Sequence, residues 1–160
     1  MSSSAALASH EGANLGTGRV LAIDYGRNWL GLALSDPLRV TAQPLARWKR
    51  ANRRREVARL RDLCREREVS LILVGYPLRL DGTKSEMAEE TAQFAGGLRS
   101  ELGKPVELVD ERLSSWEAEQ TVGHNTGGRP RFRERRRHKR DEVAAAVILR
   151  DYLQCAARTA

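Results

Sequence analysis

Apolar positions along the chain follow two different periods, and the way these alternate predicts an α/β fold. Residues 19–23 and 29–34 are runs of β-formers separated only by Asp24-Tyr25-Gly26-Arg27-Asn28, so tight a connection that the two strands must be antiparallel. Residues 40–48 read as a third strand, confined by Pro44 to an edge or an irregular end. The run SLILVG at 70–75 is short, continuous and apolar, which marks a strand buried on both faces, and Val106, Leu108 and Val109 form another. Between these runs the period becomes helical. Val57, Leu60, Leu63 and Cys64 line one side of residues 53–68, whose other side is covered by arginine. Met87, Thr91, Phe94, Ala95, Leu98 and Leu102 line a second helix, in which Gly96 and Gly97 point to close packing on the sheet. An apolar helix from about Asp141 to Gln154 closes the chain.

Two of the apolar strands end in acid. The first ends at Asp24, and alternation sends Leu21 and Ile23 to one face and Val20, Ala22 and Asp24 to the other. The later one ends at Asp110-Glu111. Parallel strands separated by helices bring their carboxyl ends to one edge, where open α/β sheets build their sites, so Asp24 is expected to meet one of these two acids. Neighbouring side chains point to opposite faces, and only one of the pair can easily join it. A third acid, Asp141, shares a helix face with Ala144, Ala145 and Ile148, the face that packs on the sheet. Each acid also has a plainer reading. Asp24 and Gly26 suit a simple hairpin turn, Gly26 supplying a positive φ and leaving room for a phosphate or metal to approach. Asp141 at a helix start can cap the amides and favour the dipole, which is worth ~1 kcal/mol. Ser114 and Glu117 have capping-box spacing for a short helix.

Composition narrows the choice. At 160 residues and 41% hydrophobic the chain fits one domain with one core. Residues 1–18 are small and polar, with neither the basic start nor the apolar centre of a signal peptide, and read as a disordered tail ahead of a domain at 19–155. No apolar run approaches the ~18 residues that cross a bilayer, and two cysteines suit a reducing compartment, so the expected location is the cytoplasm, with no membrane partner. Lys and Arg number 28 against 21 Asp and Glu, a net charge of +7, and a polyanion is the natural partner. Nearly all of that charge is arginine, whose planar fork matches phosphate. A solvated face accounts for the helix arginines equally well. The densest cluster is GHNTGGRPRFRERRRHKR at 123–140, which lacks an apolar period and reads as a mobile basic loop. His10, His124 and His138 have no zinc-like spacing with a cysteine.

Strands with acids at the end of the first and of a later one, and a third acid in the closing helix, match the ribonuclease H arrangement: a mixed five-stranded sheet of antiparallel and parallel strands with helices on both faces. IDYGRNWLGLALSD, VGYPLRLDGTKSEMAEE, VELVDERLSS and RDEVAAAVILRDYL resemble, in order, the four motif blocks of the YqgF or RuvX family, relatives of the RuvC junction resolvase associated with processing of pre-16S rRNA. The resemblance implies a nuclease whose acids fall on Asp24, Glu111 and Asp141, with Asp110 the less certain neighbour. It also implies two Mg²⁺ or Mn²⁺ ions shared by those carboxylates, since oxygen ligands suit magnesium and a metal pair activates water and stabilises a leaving oxygen. Arg112 and Ser114 would position phosphate, while Arg129, Arg131, Arg133, Arg135, Arg136 and Arg137 would hold the backbone without reading bases. Structured RNA, the 5′ end of pre-16S rRNA, is the expected substrate in ribosome biogenesis. Branched DNA is the alternative, and a non-catalytic nucleic-acid-binding factor is the alternative of another class. Resolving a junction requires a two-fold dimer, and the helices show no surplus apolar stripe for one, so a monomer or weak homodimer is expected.

Overall fold

The structure is a computed structural model that describes residues 17–77, 83, 85–110 and 130–159, with side chains in the last stretch described from 141 onward. The strands are β1 (Arg19–Tyr25), β2 (Trp29–Ser35), β3 (Ala42–Lys49), β4 (Val69–Tyr76) and β5 (Val106–Asp110), and the helices are α1 (Arg53–Glu66), α2 (Glu86–Leu102) and α3 (Pro130–Thr159). They form one sheet in the order β3-β2-β1-β4-β5. β1 pairs antiparallel with β2, and β2 with β3, while β1 with β4 and β4 with β5 are parallel. This is the mixed five-stranded ribonuclease H-like sheet that the sequence pattern predicts.

The period-2 alternation divides the core into two layers. Leu21, Ile23, Leu30, Leu32, Ile72 and Val74 face α1 and α2, meeting Val57, Leu60 and Cys64 of the first and Ala95 and Leu98 of the second. Val20, Ala22, Ala33, Leu71 and Leu73 face α3 and meet Ala145, Leu149 and Leu153. β4 therefore buries both faces, as its unbroken apolar run requires. The helix starts are set by local chemistry: the Asn52 side chain accepts from the Arg55 amide at 3.0 Å, and Ser85 Oγ accepts from the Ala88 amide at 3.2 Å. α2 ends at Gly103, in the left-handed region at φ 63°.

Four local expectations are corrected. Gly26 does not adopt a positive φ; it is small because an added Cβ would lie 2.7 Å from the Trp29 carbonyl oxygen across the turn. Gly96 has open space beside it, and Gly97 lies under the Arg53 guanidinium of α1, so neither glycine serves contact with the sheet. α3 begins at Pro130 and takes in residues 130–140, which were expected to be loop. The absence of an apolar stripe argues against burial and not against a helix; Arg, Lys and Glu cost little in one, and Pro suits its first position. Asp141 consequently lies inside α3 and is not its cap. Residues 1–16 of the tail expected at 1–18, the short helix after Ser114 and residues 123–129 lie outside the described residues.

Candidate acidic site at the strand ends

The site grows from one row across three strands. Asp24 on β1 is the cross-strand partner of Gly31 on β2, and Gly31 is the partner of Arg47 on β3. Cross-strand partners share a face, and Val20, Ala22 and Ala33 fix it as the one covered by α3. α3 comes down on the middle of this row. A Cβ at Gly31 would run into the Asp141 carbonyl group and stand 3.0 Å from the Asp141 Cβ. Directly opposed Cβ atoms are ~4.5–5.5 Å apart, so the Asp24 and Asp141 Cβ atoms lie within about 8.5 Å of each other, a span that two carboxylates can close onto a shared ion. On the other side of β1 the register pairs Ile23 with Val74 of β4, and Gly75 is the next residue of that strand.

The Asp141 carboxylate is held. Its Oδ2 accepts from Arg47 Nε at 2.7 Å, and the Arg47 guanidinium stacks 3.7 Å from the centre of the Trp29 ring. The Arg47 side chain is only 9% exposed and that of Asp141 34%, so the pair is partly withdrawn from water. Asp110 is placed differently. β5 pairs Leu108 with Val74 and Asp110 with Tyr76, and Leu108 packs in the α1/α2 layer while Val109 packs beneath α3. Asp110 therefore belongs to the layer opposite Asp24. Of the expected site residues, Asp24 and Asp141 are brought together; Glu111, Arg112, Ser114 and Arg129 lie outside the described residues. Arg131, Arg133, Arg135, Arg136 and Arg137 fall on the α3 backbone before its side chains are described.

A second network fixes the turn that follows Asp24. Arg50 donates from Nη1 to the Gly26 carbonyl at 2.8 Å, and from Nε and Nη2 to the two oxygens of Glu56 at 2.6 and 3.1 Å. Glu56 Oε1 also accepts from the Ala51 amide at 2.9 Å. The guanidinium lies over the Tyr25 ring at 4.7 Å, and Tyr25 in turn meets Phe94 of α2 at 5.0 Å. Glu56 is 5% exposed, so removing its partner strands a buried charge. Arg50→Met is expected to lower stability by ~3–5 kcal/mol, measured by urea unfolding, and Arg50→Met with Glu56→Gln by clearly less than the sum of the two singles. Neither Arg50 nor Glu56 was singled out by the sequence pattern. The available signal was an acid in the first turn of a helix otherwise rich in arginine, at a position on the apolar side.

The RuvX family model, described as Holliday junction resolvase, matches residues 18–155. The chain belongs to the RuvX family. Among its relatives, a protein of Syntrophus aciditrophicus is 42% identical over 84% of this chain and 87% of its own length. One of Lachnospira eligens is 40% identical over 85% and 96%, and one of Koribacter versatilis 38% over 86% and 87%. Each of the three bears the name "Putative pre-16S rRNA nuclease". In this RuvX chain Asp141, whose backbone closes on Gly31, and Asp24, the neighbour of Gly31 across the strand, offer carboxylate oxygens, which fit a hard divalent cation and not a thiol-preferring or imidazole-preferring one. Among the described residues no three His, Cys, Asp or Glu side chains gather into a ligand cluster. No helix among the described residues is long and apolar enough to cross a membrane.

Proposed function

We propose that this RuvX protein is a metal-dependent endonuclease that hydrolyses phosphodiester bonds of structured RNA, processing the 5′ end of pre-16S rRNA. The observation that carries the reading is the landing of Asp141 on Gly31, one strand from Asp24. Asp24, Asp141 and Glu111 are the residues that would hold Mg²⁺ or Mn²⁺; two such ions, when bound, activate a water and stabilise the leaving oxygen. The chain's own part is to fix those carboxylates. The β1 register sets Asp24, the close approach at Gly31 sets Asp141, and the Arg50 network stiffens the turn that follows Asp24. Arg112 and Ser114, following Glu111 in sequence, would orient the phosphate, and the arginines from Arg129 to Arg137 would hold the backbone in a manner indifferent to base identity.

The names borne by the relatives favour RNA, while the family description names junction DNA. Dimer physics supports RNA. A resolvase cuts two symmetry-related strands and needs a stable two-fold interface, whereas the large apolar side chains left exposed among the described residues are Leu38 and Val40, too small a patch for one. Asp24 and Asp141 support an enzyme over a binding factor. The test is incubation of the full chain with pre-16S rRNA and with four-way DNA junctions, in Mg²⁺ or Mn²⁺, alongside sedimentation over a concentration series. Metal-dependent cuts in the RNA by a monomer are expected. Paired symmetric nicks in the junction by a dimer that spares RNA would move the assignment to DNA, and tight RNA binding with no cleavage in either metal would move it to a binding factor.

A further inference from the structure

The geometry points to Arg47 as a resident countercation of the acidic site, doing for Asp141 in the metal-free protein what a divalent cation does in the loaded one. Arginine is rarely so enclosed, and it is enclosed here on an edge strand where solvent was available. It is fixed from two sides. The Trp29 face at 3.7 Å sets the plane of the guanidinium, and Nε meets Asp141 Oδ2 at 2.7 Å. The same row carries Asp24 one strand beyond Gly31, so without a cation two carboxylates would share a partly dry space and repel each other. A fork of fixed plane held by an aromatic face keeps one carboxylate neutralised and in place; lysine's mobile point charge would do this less well. The chain can thereby fold and keep its site assembled before metal arrives, and binding the ion need not first order Asp141.

The inference rests on the proposed metal site for its second half only, and melting temperatures separate the two. Full-length Arg47→Met, Asp141→Asn and the double variant are compared with the parent, without divalent ions and with saturating Mn²⁺. Methionine keeps an apolar stem against Trp29 and removes the charge. In metal-free buffer Arg47→Met is expected to melt roughly 3–6 °C below the parent, and the same change made in Asp141→Asn to cost less than half of that. Mn²⁺ is expected to raise the melting temperature of Arg47→Met by more than it raises the parent's. Equal losses in the parent and in the Asp141→Asn background would overturn the inference and leave Arg47 a packing residue against Trp29. Mn²⁺ that stabilises the parent yet restores nothing in Arg47→Met would overturn the countercation role while the proposed nuclease stands. Mn²⁺ that shifts no variant would overturn the metal reading itself, and coupling between Arg47 and Asp141 would still uphold their pairing.

Discussion

Asp24→Asn is expected to fold as the parent does and to cleave RNA roughly 10³-fold more slowly in either metal. Asparagine keeps the volume and one carbonyl oxygen of the side chain, so the β1 register and the close packing around Gly31 survive. What it removes is a unit of negative charge at the strand end. A metal supplies several kcal/mol of transition-state charge stabilisation, and each 1.36 kcal/mol is tenfold in rate, so losing most of the ion's hold carries about this penalty. Glu111→Gln is expected to behave alike. Asp141→Asn differs in kind: it loses cleavage and also the charge that Arg47 meets at 2.7 Å, so its metal-free melting temperature falls below that of Asp24→Asn. Initial rates with Mg²⁺ and with Mn²⁺, set beside thermal melts of the same preparations, check both statements; cleavage by Asp24→Asn near the parent rate would remove the site assignment.

The place of Asp24 near the end of β1 was legible because the apolar run before it marks a strand, and β4 because a run of apolar residues without alternation can only be buried twice. Once the register of β5 is known, alternation puts Asp110 in the layer opposite Asp24, since Leu108 and Val109 lie in different layers. Sequence alone could state only that one of the two acids joins Asp24. The residues that sequence missed are those whose role depends on long-range register. Arg47 reads as one more exposed arginine on an edge strand, and nothing local says that α3 will cover it. Glu56 and Arg50 sit six residues apart across a strand-to-helix turn, a spacing with no periodic signature. Asp141 was half legible. Its helix face was correctly placed toward the sheet, yet its apparent position at a helix start suggested a cap, because the arginine-rich segment before it carries no stripe by which a helix could be recognised.

Gly31 makes the sharpest demand of any residue in the site, and Gly31→Ala is expected to damage activity far more than stability. In sequence it is an unremarked glycine inside β2, where glycine ordinarily weakens a strand and alanine would be an improvement. In the fold the added methyl would collide with the carbonyl carbon and oxygen of Asp141, which are backbone atoms and cannot rotate aside as a side chain could. The helix must lift or slide. Small-to-large changes in a packed layer cost ~1–3 kcal/mol, which for a chain of this size corresponds to a melting temperature lower by about 3–10 °C. Catalysis is less forgiving, because a displacement of ~1 Å in a positioned group can cost 10²-fold. A lift of α3 at this point moves Asp141 directly away from Asp24 and draws its carboxylate off Arg47. The expected outcome is therefore a variant that is fully folded at 25 °C and cleaves RNA ~10²-fold more slowly, with weaker stabilisation by Mn²⁺. Gly96→Ala is the control: that glycine lies within α2 with open space around it, and the change is expected to add ~0.5–1 kcal/mol of stability and leave cleavage unchanged. If Gly31→Ala keeps the parent's rate while melting lower, the helix yields without moving Asp141, and the close approach serves packing alone.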